Sequence, residues 1–194
     1  MEKTIGCVVM AAGNARRFGE NKLMAALDGR TLIERALDAV PASLFSDVVV
    51  VTQFDGIAAL AEGRGFRCVR NERPEDGLSR TVRLGVEALR HCDGILFMVS
   101  DQPLLSRGAV VRVAERWREQ PERIVGLGHE GKRGNPCLFP REFFPELRKL
   151  EGDQGGSAVI RAHPEKLLLV ETDREELTDV DTKTALDALK ETGG

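Results

Sequence analysis

Short, nearly unbroken apolar runs recur along the chain: TIGCVVM from Thr4, SDVVVV from Ser46, GFRCV from Gly65, GILFMVS from Gly94, RIVGLG from Arg123 and KLLLV from Lys166. Stretches with helical spacing separate them. Strands buried on both faces look like this, and the helices between them cover those faces. The first helix has a defined start in TLIERALDAV, where Thr31 and Glu34 form a capping box ahead of an apolar stripe of Leu32, Ile33, Ala36, Leu37 and Val40. A second helix is predicted through Val82, Val86 and Leu89. A third runs from Ser106 through Val110, Val113 and Trp117, and a last one carries Ala185, Leu186 and Leu189. Strands alternating with helices imply right-handed crossovers and an α/β fold, a three-layer, doubly wound, mainly parallel sheet. No repeat, low-complexity segment or linker interrupts the pattern. With 194 residues, 42% of them hydrophobic, the chain can build one sizeable core, so a single domain spanning residues 1–194 is expected.

A formal net charge of −3, with basic and acidic residues interleaved, argues against a protein that coats nucleic acid or an anionic membrane, since both are bound through clustered Lys and Arg. No apolar stretch approaches the ~18 residues needed to span a bilayer. Cys7, Cys68, Cys92 and Cys137 are scattered, without a CxxC pair. They read as reduced packing residues, which fits a cytoplasmic location.

In a doubly wound sheet, ligands bind beyond the carboxyl ends of the strands where strand order reverses, commonly between the first and fourth strands. The segments that follow those strands are MAAGNARRFGENK, Met10 to Lys22, and SDQPLL, Ser100 to Leu105. The first is not a P-loop, because Gly13 and Gly19 enclose five residues and lead into ENKL; the Rossmann G-x-G-x-x-G is absent too. The ingredients of an anion site are nevertheless present. Ala11, Ala12 and Gly13 let backbone approach a ligand, and Arg16, Arg17 and Lys22 supply charge. A solvated basic loop that only turns the chain accounts for the same residues. In the second segment, Pro103 biases Gln102 away from helical geometry and Ser106 is the better helix cap. Asp101 is thus left at the mouth of the sheet, where it could hold Mg²⁺ together with phosphate oxygens.

Five segments in order, A-A-G-x-x-x-R-x-G-x-x-K over Ala11 to Lys22, GLSRTVRLG, SDQPLL, RGNPCLF and GDQGG, resemble the molybdenum cofactor cytidylyltransferases, within the wider group of Rossmann-like nucleotidyltransferases. The likeness covers nearly the whole chain. It implies that the backbone of Met10, Ala11, Ala12 and Gly13 cradles a nucleotide, that Arg17 and Lys22 grip its triphosphate, and that Asp101 holds Mg²⁺. It also implies that Asn71, Gly77, Leu78 and Ser79 surround base and ribose, and that RGNP (Arg133 to Pro136) and GDQGG (Gly152 to Gly156) face the second substrate. Asp153 is implied as a second metal or substrate ligand, although a turn aspartate is an equally good account of it. Ala12 and the short Glu20–Asn21 spacer match the cytidylyl branch, so CTP is the implied nucleotide.

The resemblance implies in-line attack by a molybdopterin phosphate on the α-phosphorus of CTP, with release of pyrophosphate and without a covalent enzyme intermediate. The residue inventory agrees, because positioning and charge stabilisation carry such transfers. The chain has no tyrosine, and His91, His129 and His163 have neither triad nor metal-ligand spacing. Three alternatives remain open at this point: guanylyl transfer, transfer to a different phosphorylated acceptor, and a non-catalytic carrier that hands the cofactor to a client molybdenum hydroxylase.

Overall fold

The computed structural model describes residues 3–13 and 21–192. In chain order its strands are β1 (Ile5–Ala11), β2 (Ala26–Leu27), β3 (Arg30–Thr31), β4 (Asp47–Thr52), β5 (Arg67–Arg70), β6 (Gly94–Val99), β7 (Ile124–His129), β8 (Lys132–Pro140) and β9 (Leu167–Glu171). The α-helices are α1 (Leu32–Asp38), α2 (Asp55–Glu62), α3 (Leu78–Ala88), α4 (Arg107–Glu119), α5 (Phe144–Leu147), α6 (Gly156–Ala162) and α7 (Lys183–Thr192). Seven strands form one sheet in the order β5-β4-β1-β6-β8-β7-β9, and β2 pairs with β3 in a separate ribbon. Every pairing in the large sheet is parallel except the two made by β8, which runs antiparallel to β6 and β7.

The alternation of side chains along a strand divides the core into two layers. Cys7 and Val9 of β1 join a cluster with Ile33 and Leu37 of α1, Ile57 of α2, and Val110, Val113 and Trp117 of α4. Val8 faces the other way, toward Val82 and Val86 of α3, Leu147 of α5, and Val159 and Ile160 of α6. The expected three-layer, mainly parallel arrangement is therefore observed. The capping box forms as the sequence indicates: Glu34 N–H donates to Thr31 Oγ1 at 3.3 Å, and Thr31 N–H donates to Glu34 Oε2 at 2.8 Å. Ser106 caps α4, accepting from Ala109 N–H at 3.1 Å.

The structure adds elements that the apolar runs do not announce. The segment quoted above as RGNPCLF lies within β8, which forms a hairpin with β7 through Glu130 and Gly131, both at positive φ (49° and 77°), the geometry of a two-residue primed turn. A third small cluster joins Leu27 of β2, Leu32, Val180 and Leu186, so α7 and the segment before it brace the ribbon that follows Lys22. All four cysteines are unpaired; Cys7, Cys92 and Cys137 are buried and Cys68 half-buried. Burial pushes the Cys7 thiol far above its ordinary range. Among the described residues no helix is long and apolar enough to cross a membrane.

Candidate functional site

β1 and β6 are parallel neighbours, with Met10 paired in register to Val99, so both strands release their chains at the same edge of the sheet. Side chains of neighbouring elements secure the end of β1. Ser100 Oγ donates to Met10 O at 2.8 Å, Thr52 Oγ1 to Ala11 O at 2.9 Å, and Gln53 Nε2 to Ala12 O at 2.8 Å. Three successive carbonyls are thereby turned into the protein, which fixes the path of the chain into Gly13.

Lys22 opens a short 3-10 turn capped by Asn21, whose Oδ1 accepts from Leu23 N–H at 3.2 Å. From there the Lys22 ammonium donates to Asp101 Oδ2 at 2.7 Å, to Asp181 Oδ1 at 3.1 Å and to Val180 O at 3.2 Å. The Lys22 and Asp101 side chains are 17% and 23% exposed, so water screens this pair only in part. Partial burial by itself would lower the lysine pKa; the hydrogen bond and charge of Asp101, followed by those of Asp181, outweigh it and raise the pKa above the ordinary value. Nearby Asp179 is pushed up, first by desolvation and then by the Asp101 charge.

Lys22, Asp101 and Asp181 border an open cleft of about 600 Å³. Of the residues singled out in the sequence, Met10, Ala12, Gly13, Lys22, Gly77, Leu78, Asp101 and Asp153 line it. Gly77 is the N-cap of α3, at φ +85°, where a Cβ would lie 2.3 Å from Gly152 O. Only glycine serves there: the backbone is left-handed, and the GDQGG loop lies directly against it. Ser79 N–H donates to Gly152 O at 3.0 Å, which fastens that loop to the start of α3 and sets Asp153 on the cleft wall.

Three expected contacts fall elsewhere. Ala11, the last residue of β1, is fully buried in the core. Ser79 is fully buried as well, and its backbone donor is taken by Gly152, so it offers a ligand neither its side chain nor a free N–H. Asn71 is 1% exposed; its Oδ1 accepts from Arg73 N–H at 3.2 Å and Arg80 Nε at 3.0 Å, while Nδ2 donates to Thr81 Oγ1 at 3.3 Å. It braces the loop that leads into α3 and leaves Thr81, not itself, on the cleft. Arg16 and Arg17 lie outside the described residues. None of the three histidines lines the cleft.

Sequence reasoning missed Val180 and Asp181. Val180 is fully buried, its N–H donates to Asp101 O at 2.8 Å, and its carbonyl accepts from Lys22. The available signal was TDVDT, an apolar residue between two aspartates directly before a helix. Asp101 Oδ2, Asp181 Oδ1 and Val180 O thus converge on one cation, and all are hard oxygen donors. Among the described residues no group of three or more His, Cys, Asp or Glu is arranged to hold a metal ion. A metal here would draw on few protein carboxylates and complete its shell with ligand oxygens and water, the usual situation of Mg²⁺.

A family model described as the MobA-like NTP transferase domain matches residues 7–167, and the chain belongs to that family within the nucleotidyltransferase superfamily. The purine catabolism protein PucB of Bacillus subtilis is 27% identical over 94% of this chain and 94% of its own. A 3-deoxy-manno-octulosonate cytidylyltransferase of Bdellovibrio bacteriovorus is 27% identical over 66% of this chain and 51% of its own length. A probable molybdenum cofactor guanylyltransferase of Aquifex aeolicus is 28% identical over 61% and 57%. Among solved structures, a nucleotidyl transferase from Methanothermobacter thermautotrophicus superposes with a TM-score of 0.81 at 24% identity, covering 97% of both chains. Rv0371c of Mycobacterium tuberculosis in complex with manganese superposes with a TM-score of 0.75 at 24% identity, covering 97% of this chain and 99% of its own. Both share the α/β fold described above.

Proposed function

We propose that this MobA-like NTP transferase, a single domain over residues 1–194, transfers the cytidylyl group of CTP to the phosphate of a molybdopterin-type cofactor in the cytoplasm and releases pyrophosphate. The observation that carries the reading is the meeting of Lys22 with Asp101 and Asp181 on the wall of a cleft that also holds Gly13, Gly77 and Asp153. A cation held between carboxylates beyond the ends of β1 and β6 is a site prepared for a polyphosphate and its counter-ion.

In this reading Lys22, with Arg17, holds the β- and γ-phosphates, and Gly13 lets the backbone approach the triphosphate. Asp101 and Asp181 would hold Mg²⁺, with Asp153, which lines the same cleft, as a further ligand to metal or substrate. Bound there, the metal supplies charge neutralisation on the phosphates. Gly77 and Leu78 border the nucleoside, and Asn71 and Ser79 act behind them by fixing the loop and the start of α3. An oxygen of the acceptor phosphate forms a bond to the α-phosphorus as the bond to the bridging oxygen breaks, and pyrophosphate leaves with that oxygen. A phosphate monoester has its second pKa near 6, so at neutral pH the attacking oxygen is already deprotonated. A general base is unnecessary, which agrees with the placement of all three histidines away from the cleft.

Support for CTP comes from Ala12 and the Glu20–Asn21 spacer, and from the cytidylyltransferase of Bdellovibrio bacteriovorus. The guanylyltransferase of Aquifex aeolicus favours a second reading, in which GTP is the donor. Incubation with each nucleoside triphosphate, Mg²⁺ and molybdopterin, followed by pyrophosphate measurement and mass analysis, decides between them. A cytidine dinucleotide of the cofactor is expected. A guanosine dinucleotide selects the second reading, and binding of CTP without turnover for any acceptor overturns both.

A further inference from the structure

The RGNP stretch of β8 runs past the site edge of the sheet without a regular ladder. Between the pairs Gly128 with Arg133 and Gly126 with Cys137, β7 contributes Leu127 alone while β8 contributes Gly134, Asn135 and Pro136. On its other side β8 pairs with β6 no further than Cys137 with Phe97. Arg133 and Asn135 line a hollow of about 90 Å³ beside the main cleft. Gly134, between them, is covered by Leu177: a Cβ there would lie 2.6 Å from Leu177 Cδ2, 3.0 Å from Cδ1 and 3.2 Å from Cγ. Carbon atoms in ordinary contact stand about 3.5–4.0 Å apart. A glycine inside a strand weakens it and marks a close approach. What approaches here is a leucine side chain.

Leu177 belongs to the segment 172–181, which leaves the end of β9 and leads to the oxygens around the Lys22 ammonium. Ser106 N–H donates to Glu176 Oε1 at 3.1 Å, Gln102 Nε2 to Leu177 O at 3.4 Å, and Val180 N–H to Asp101 O at 2.8 Å. These bonds fasten the segment to the chain between Asp101 and Ser106. The Leu177 side chain fastens it to β8 as well, and also packs against the core layer that holds α1, α2 and α4. The Asp181 side chain is 63% exposed, so burial does not place it. Its position, like that of Val180 O, follows from the backbone just beyond Leu177.

We infer that Leu177 is a positioning residue: seated over Gly134, it sets Val180 O and Asp181 relative to Asp101, and the RGNP stretch and the oxygens around Lys22 move as one frame. Its effect on metal binding rests on the nucleotidyl-transfer reading, whereas the positioning itself does not. A methyl group at position 134 is admitted only if the whole leucine side chain withdraws, because Cγ as well as both of its methyls is too near.

Amide hydrogen exchange at Val180, which is fully buried and bonded to Asp101 O, reads the geometry, and titration with Mn²⁺ in the presence of CTP reads the consequence. Gly134→Ala should speed exchange at Val180 about tenfold while the amides of β1 and β4 keep their protection. It should also weaken Mn²⁺ binding about tenfold, the lower end of what the loss of an outer support costs a metal site. Leu177→Ala should act in the same direction to a smaller extent. In that background Gly134→Ala should add nothing further, since the methyl then has room. Additive effects of the two substitutions, a Val180 amide that stays protected in both single variants, or a rise in exchange shared equally by all amides overturns the inference. If Gly134→Ala does not fold, Leu177→Ala alone decides through the same amide. A wild type that binds no Mn²⁺ with CTP removes the metal reading instead, and exchange at Val180 still decides whether Leu177 positions these oxygens.

Discussion

Replacing Lys22 by methionine should move the affinities for metal and for nucleotide in opposite directions. The Lys22 ammonium occupies the position toward which Asp101 Oδ2, Asp181 Oδ1 and Val180 O point, at 2.7, 3.1 and 3.2 Å. A divalent ion reaching Asp101 without nucleotide must therefore displace a cation that already satisfies these oxygens. A hydrogen bond to a charged group contributes about 1.5–3 kcal/mol, and partial exposure of Lys22 and Asp101 favours the lower end. Removing the ammonium relieves roughly 1.4 kcal/mol of that competition and tightens metal binding about tenfold. On the proposed reading the same substitution also deletes a charged contact to the triphosphate, so nucleotide affinity should fall about ten- to a hundredfold. If in the wild type nucleotide draws Lys22 away from Asp101, each ligand should strengthen the other, a coupling that must be reciprocal. Titration of the free Mn²⁺ paramagnetic resonance signal, with and without CTP, measures both affinities and their coupling. Metal affinity that falls or stays constant in Lys22→Met, with the variant melting as the wild type does, refutes the idea that lysine and metal share these oxygens.

Asp101→Ala should reduce turnover more than Lys22→Met does, because on the proposed reading it removes both the metal anchor and the partner of Lys22; near-normal activity in Mg²⁺ would show that Asp101 is not the anchor. Gly77→Ala should destabilise the fold by about 1–3 kcal/mol, since a Cβ would lie 2.3 Å from Gly152 O on a left-handed backbone, and thermal melting measures this directly. Turnover should fall with it as Asp153 is displaced, whereas an unchanged melting temperature rejects the packing argument. Glu176 tests the strap that carries Asp181. Desolvation raises its pKa, but hydrogen bonds from Ser106 and Thr172, with Arg112 at 3.5 Å, prevail and hold the carboxyl below its usual range. A depressed carboxylate contributes stability above its unfolded pKa, about 4.3, and loses it as pH falls through the lower folded value. Glu176→Gln should therefore lower the melting temperature at pH 7 and converge on the wild type under acid, and a difference that does not vary with pH contradicts the assignment.

The parts of the fold that could be read in advance are those with a continuous apolar run. Six strands of the large sheet appear as apolar runs; β1, β4, β6 and β7 are buried along nearly their whole length, and the edge strands β5 and β9 keep the pattern although they are only half-buried. β8 does not, since KRGNPCLFP begins with exposed and half-buried residues and carries Arg133 and Pro136 inside the strand. Its hairpin with β7 depends on Glu130 and Gly131, a turn signal only once the two flanking strands are known. α5 and α6, at 4 and 7 residues, are too short to display a helical period, and α2 buries only Ile57 and Ala61.

The site divides along a similar line. Lys22 and Asp101 could be found because each follows a strand whose place at the switch point was already implied, so topology alone brought them to one edge of the sheet. Asp181 follows no such strand directly; nine residues separate it from Glu171, the end of β9, and the pairing of Val180 N–H with Asp101 O helps carry it into the cleft. Asn71 and Ser79 misled for the converse reason. They lie in the right segment, but a polar side chain beside a site can hold the loop as easily as the ligand, and the decision belongs to Gly152, Arg80 and Thr81, distant or unremarked in sequence. The cation cage is thus assembled by the C-terminal segment, and the packing of Val180 with Leu27, Leu32 and Leu186 ties its integrity to α7. Substituting Leu186 by alanine should therefore weaken metal and nucleotide binding together, although Leu186 lines neither cavity.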